Sequence, residues 1–117
     1  MATTDTKTMI EGTVARLVDE VPALRNLALV FRLELRERGG PATWRVEVPG
    51  PKVARDPAGD SRIAIAMDRP AFNQLAAKGR LGDWVTAYEK GVVRVTGDAN
   101  VMKLIGKVVE MKRARDR

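Results

Sequence analysis

The sequence predicts an α+β fold, on three observations. Near both ends of the 117-residue chain, apolar residues recur every three or four positions, the spacing of helices with one buried face. Between those ends, apolar and polar residues alternate in short runs punctuated by glycine and proline, the period of half-buried strands. The third observation is the stretch from Gly79 to Leu104, where a glycine loop, a short apolar helix, a strand, a turn and the start of a long apolar helix follow in close order. Within it Gly91 and Gly97 bracket Val92-Val93-Arg94-Val95-Thr96, where β-branched residues favour a pleated backbone and the glycines can end it. So tight an alternation, with Trp84 and Tyr88 beside it, predicts a sheet edge capped by helices over an apolar space.

The first helix is predicted from Thr6 to about Val21, because Met9, Ile10, Val14, Leu17, Val18 and Val21 share one face. Pro22 ends it, since proline disfavours helical backbone at the residue before it. Leu27, Leu29, Phe31, Leu33 and Leu35 then alternate with Ala28, Val30, Arg32, Glu34 and Arg36, which is a strand in spite of its leucines. Gly39-Gly40-Pro41 is a turn, and from Thr43 to Val48 the side chains of Trp44, Val46 and Val48 face inward, so the two runs form a hairpin. Beyond Pro49-Gly50-Pro51, the run Lys52 to Arg55 is a short edge strand flanked by proline and charge.

After a turn from Asp56 to Asp60, Ile63, Ile65 and Met67 alternate with Ala64 and Ala66. This predicts a central strand, bulky on one face and small enough on the other for a helix to approach. Asp68 is placed to cap a helix with Pro70 in its first turn and with Phe72, Leu75 and Ala76 on one face, stopped by Gly79. That connection reads as a crossover. Asp83 is placed to cap the helix carrying Trp84, Val85 and Tyr88, and Asp98 to cap the last one. Along the last helix, Val101, Met102, Leu104, Ile105, Val108, Val109 and Met111 cover half the circumference at ~100° per residue, opposite Lys103, Lys107, Glu110 and Arg113. An apolar face that wide asks for more than one neighbour.

By length the chain is one domain, 1–117, with one core, and no repeat, linker or low-complexity tract interrupts it. Cysteine and histidine are both absent. This excludes disulfides, thiolate metal sites, Ser-His-Asp and Cys-His nucleophiles, the usual zinc ligand sets and the commonest general base at neutral pH. The one serine, Ser61, lies in a turn with no candidate base. No carboxylate pair, phosphate cradle or metal motif is present, so the chain is read as non-enzymatic and without a cofactor.

The net charge of +6 and a pI near 10.2 favour an anionic partner, whether nucleic acid, anionic lipid or an acidic head group, against the plain alternative of solubility. Only five aromatic residues occur and most sit at inward positions, unlike a base-stacking platform, so nucleic acid is the disfavoured partner. No apolar run reaches the roughly 20 residues of a membrane span, and the threonine-rich start lacks an apolar signal core, so a cytoplasmic protein is expected.

Ala87-Tyr88 followed by Gly91, then Val93-Arg94-Val95-Thr96-Gly97-Asp98 and Met102-Lys103-Leu104, is similar to the glycine-strand-glycine signature and following helix of the sterol carrier protein type 2 family, the non-specific lipid-transfer proteins. Trp44-Arg45-Val46-Glu47-Val48 is a lesser match, and in its order of elements most of the chain resembles that family. The resemblance implies an α+β fold in which helices pack on one face of a mixed sheet of about five strands. It also implies an apolar tunnel between the layers, holding sterols, fatty acids, acyl chains or phospholipids that are moved between membranes without catalysis. Two departures limit the transfer. In the first helical segment Asp5, Glu11, Asp19 and Glu20 outnumber Lys7 and Arg16, so docking of a basic first helix on membranes is not expected here. The chain also does not end in a peroxisomal tripeptide, so peroxisomal residence does not carry over.

On this picture the expected lining of the apolar site is Phe72, Leu75, Leu81, Trp84, Tyr88, Met102, Ile105 and Val109, each with ordinary core packing as its plain alternative. The loop from Lys78 to Asp83 and the last helix, with Gly79, Gly82 and Gly106, form the expected lid. The expected partner is a hydrophobic small molecule or lipid. Lys103, Lys107, Lys112, Arg113, Arg115 and Arg117 offer a transient contact with an anionic membrane, against a simply solvated helix face. Two other functions stay open: an accessory or dimerisation domain for an enzyme of apolar substrates, and a small nucleic-acid-binding protein. Oligomeric state is left open.

Overall fold

The computed structural model describes residues 6–22, 25, 29–48, 50, 52–55 and 61–115. The predicted start of the first strand at Leu27, the prolines at 49 and 51 and the turn at 56–60 lie outside the described residues. Helix α1 (Thr6–Glu20) buries Ile10, Thr13, Val14 and Val18, a stripe of threes and fours. Thr13 sits in that stripe because its hydroxyl donates to the Met9 carbonyl at 2.8 Å, one turn back.

Strands β1 (Leu29–Arg36) and β2 (Ala42–Val48) form the expected antiparallel hairpin. Its register sets Leu33 opposite Trp44 and Leu35 opposite Ala42, which puts the apolar residues of both strands on one face. The short β3 (Lys52–Ala54) pairs with β2 at one edge. Strand β4 (Ile63–Asp68) runs parallel to β1 on its other side, and β5 (Arg94–Gly97) runs antiparallel to β4 at the far edge. The order β3-β2-β1-β4-β5 makes a mixed five-stranded sheet.

Two expectations about β4 change here. It is interior, but β1 holds the middle, because β1 pairs with both β2 and β4. And since β4 and β5 are antiparallel neighbours, the helices between them are an excursion over one face of the sheet rather than a crossover between parallel strands.

The four helices of the described residues all cover the face bearing Leu33, Leu35, Trp44, Val46, Val53 and Met67. The opposite face carries Arg32, Glu34, Arg36, Arg45 and Glu47, whose ion pairs at 3.3 to 3.7 Å are partly exposed and contribute little to stability. Ala64 and Ala66 lie on this uncovered face, so no helix uses the small side of β4. The helices instead bury its bulky side, where more apolar area leaves water.

Helix α2 (Arg69–Lys78) has Pro70 in its first turn and Asp68 at the N-cap position, but the Asp68 side chain makes no capping bond. The Gly79 N–H donates to the Leu75 carbonyl at 2.6 Å, and a side chain at 79 would run into that carbonyl. Helix α3 (Leu81–Glu89) starts two residues before Asp83. Asp83 is therefore not its N-cap; from the third helical position its carboxylate accepts the Arg80 N–H at 3.0 Å.

Gly91, with φ of 79°, makes the turn into β5. Gly97 is required for a different reason: a Cβ there would come within 2.9 Å of the Arg62 carbonyl on the β4 side. Helix α4 (Ala99–Arg115) is capped as expected, with Asp98 Oδ1 accepting the Val101 N–H at 2.9 Å and Oδ2 held by Arg62 at 2.8 Å. The Val101 N–H, and after it Arg62, hold the Asp98 carboxyl below its ordinary value.

Candidate functional site

The buried apolar side chains form two groups. The larger joins α1 and α2 to the sheet through Ile10, Val14, Phe72, Leu35, Val46 and Met67. The smaller joins Val21, Leu81 and Val85, with Leu17, Val108 and Val109 packed against it. Between the sheet and the helices lies a cavity of about 250 Å³, lined from both groups. Its floor is Leu29, Phe31 and Leu33 of β1, Ile63, Ile65 and Met67 of β4, and Val95 of β5. Its walls are Ile10, Val14, Leu17 and Val18 of α1, Phe72 of α2, Leu81, Trp84, Val85 and Tyr88 of α3, and Val101, Leu104, Ile105, Val108 and Val109 of α4.

Among the described residues, no charged side chain lines the cavity. Its polar groups are the Tyr88 hydroxyl, the Thr13 hydroxyl already bonded within α1, and the Trp84 indole N–H, which is buried and without a hydrogen-bond partner. Ile65 shows what the space does to its walls. It sits on an interior strand under a layer of helices and packs against the larger group, yet it is only half-buried because it also lines the cavity. At ~24 cal/mol per Å³, leaving this volume dry and empty would cost about 6 kcal/mol, comparable to the whole stability of a typical domain.

Of the eight residues expected at the site, the cavity brings together Phe72, Leu81, Trp84, Tyr88, Ile105 and Val109. Leu75 and Met102 do not line it. Leu75 lies along the outer groove between α2 and α3, and Met102 falls just past the edge of the lining face of α4, about 20° beyond Val109. The residues not anticipated are those of α1 and of the strand floor, together with Val85 of α3 and Val101, Leu104 and Val108 of α4. Their amphipathic pattern was visible, but pattern alone does not separate a wall from a core.

No family model and no curated protein matches the sequence. Solved structures do match in shape. The palmitated sterol carrier protein 2-like 2 of Aedes aegypti is 21% identical, covering 86% of this chain and 93% of that one at a TM-score of 0.58. Sterol carrier protein 2 of Yarrowia lipolytica, in its apo form, is 15% identical, covering 94% of each at 0.52. The chain has the sterol carrier protein 2 fold. A UbiJ-SCP2 ubiquinone synthesis protein is also similar, at 16% identity, 91% and 89% coverage and a TM-score of 0.52.

One part of this sterol-carrier-like structure departs from the expected lid. The α2–α3 junction is tied to α1 from both sides: the Arg16 guanidinium donates to the carbonyls of Ala76 at 2.8 Å and Gly79 at 3.1 Å, and Glu20 accepts the Leu81 N–H at 2.7 Å. A cation meets the C-terminal end of α2 and an anion the N-terminal end of α3, the favourable sign at each helix dipole. The glycine loop is therefore held rather than loose. Helix α4 is anchored at its start by Asp98 and Arg62, and toward its other end Val108 and Val109 pack against the group of Val21, Leu81 and Val85 while Lys112 lies beside Gly82. Among the described residues, no group of three or more acidic side chains gathers to hold a metal, and no helix is long and apolar enough to cross a membrane.

Proposed function

We propose that this chain binds an apolar ligand, such as an acyl chain, a sterol-like molecule or the tails of a phospholipid, in the cavity between sheet and helices. The observation that carries the reading is the lining: about 250 Å³ bounded by uncharged, almost wholly apolar side chains, including Phe31, Phe72, Trp84 and Tyr88. A space of this kind excludes water for want of polar partners and is stabilised by an occupant that brings hydrocarbon. Because a carboxylate buried without a partner is costly, any charged head group stays outside the lining and only the uncharged part of the ligand enters. Each buried CH₂ contributes about 0.8 kcal/mol, and the wall has few groups that could select one chain over another. We infer binding rather than chemistry, since among the described residues the wall holds neither carboxylate nor amine to move a proton.

The test is thermal unfolding of the purified chain with long-chain fatty acids, fatty alcohols and sterols. A ligand at about 100 times its Kd adds about 2.7 kcal/mol, which for 117 residues raises Tm by about 11 °C. No shift with any of the three classes, together with no bound mass in native mass spectrometry of the freshly purified protein, would overturn the proposal. The likeness to a ubiquinone synthesis protein supports a second reading, in which the same cavity presents an apolar substrate to an enzyme. Movement of a fluorescent lipid between vesicles favours the carrier, and tight binding without transfer favours presentation.

A further inference from the structure

Helix α4 buries less of its apolar stripe than its sequence presents. Of its seven apolar residues from Val101 to Met111, only Val101 is buried, at 6% exposure, and Met111 is exposed at 37%. Helix α1, by contrast, buries Ile10, Val14 and Val18. At ~100° per residue, Lys103, Lys107, Met111 and Leu104 fall side by side on one flank of α4. Two exposed lysines thus run beside an exposed methionine and a leucine that also lines the cavity. The helix carries five basic residues in sequence against the single acid Glu110, a net +4 of the chain's +6.

We propose that α4 docks on an anionic lipid bilayer through this flank. Met111 and Leu104 reach the acyl boundary, and Lys103 and Lys107 lay their apolar stems along it with their ammonium groups at the lipid phosphates. Leu104 and Val108, which line the cavity, then adjoin the bilayer, so the apolar path from membrane to cavity crosses little water. A second copy of the chain fits this flank less well, because two helices of net +4 repel. Nucleic acid would match the charge but leave the methionine and leucine without an apolar partner. The inference goes beyond the cavity reading and does not need it, since docking is read with no ligand present.

The test is co-sedimentation of the full chain with vesicles of equal parts phosphatidylcholine and phosphatidylglycerol, and with phosphatidylcholine alone, at low and high salt. Binding to the anionic vesicles that weakens with salt is expected, with little to the neutral ones. Each lysine is worth roughly fivefold, so the double variant Lys103→Gln, Lys107→Gln should bind roughly 25-fold more weakly. A control pair, Arg38→Gln with Arg94→Gln, removes the same charge from exposed positions outside α4 and should lose far less. Equal binding to both vesicle types, an equal loss in the control pair, or binding of an oligonucleotide in place of the anionic vesicles would each overturn the proposal. Uptake of a fatty acid from solution by the lysine variants should match the parent, which separates a failure of docking from a failure of the cavity.

Discussion

Ile65→Phe tests the cavity from its floor. Ile65 lies on β4 opposite Leu33 and Val95, is half-buried, packs against the larger core group and also lines the open volume, so a phenyl ring placed there has that space to extend into. Every ~40 Å³ the ring occupies recovers about 1 kcal/mol of the cost of an empty cavity. For a chain of this length that raises the Tm of the unliganded protein by about 4 °C. The ligand then loses room. Displacing two methylenes from the cavity removes about 1.6 kcal/mol, roughly a tenfold weaker Kd. At a ligand concentration about 100 times the parent's Kd, the stabilisation drops from an 11 °C shift to about 6 °C. Differential scanning fluorimetry of both proteins, with and without a long-chain fatty acid, reads both quantities. A fall in Tm of about 4 °C or more, the usual outcome of over-packing, with an unchanged ligand shift would mean that Ile65 meets packed protein, and the reasoning would fail.

Three further outcomes follow from the same geometry. Arg16→Ala removes two hydrogen bonds to the end of α2, and Glu20→Ala removes the acceptor for Leu81; each should lower stability by about 1 to 3 kcal/mol in urea unfolding, and changes within a few tenths would show that α1 does not hold the junction. Met102→Gln should leave the fatty-acid shift intact while Val109→Gln reduces it, since only Val109 lines the cavity; equal effects would redraw its wall. The Asp98 carboxyl is held below its ordinary value of 3.8 chiefly by the Val101 N–H, so its contribution is complete above that pH and is lost as pH falls through the lower folded value. The stability gap between the parent and Asp98→Ala should therefore be constant near neutrality and close in strong acid; a gap that persists to the lowest pH at which the chain folds would contradict this.

Much of this structure is local and was legible as such. The threes and fours of α1, the alternation of β1 and β2, the Asp98 cap and the glycines around β5 each follow from a few neighbouring residues and the backbone geometry they prefer. The resemblance carried by Gly91 to Leu104 pointed to the sheet and its helical cover. Where local preference did not suffice, long-range pairing decided. Asp83 precedes Trp84 and so reads as a cap, but it acts from the third helical position, while Glu20, 61 positions from Leu81, accepts the first N–H of α3. Gly79 and Gly82 suggest a loose loop, but Arg16 bonds the carbonyls of Ala76 and Gly79 and holds it. Leu75 and Met102 share helices with true wall residues, and only the rotation of α2 and α4 against the sheet turns them aside. The cavity itself has no signature in the chain, because apolar periodicity records which faces avoid water and not how far apart two such faces come to rest. That separation is set by the sheet order and by α4, whose start is pinned at Asp98.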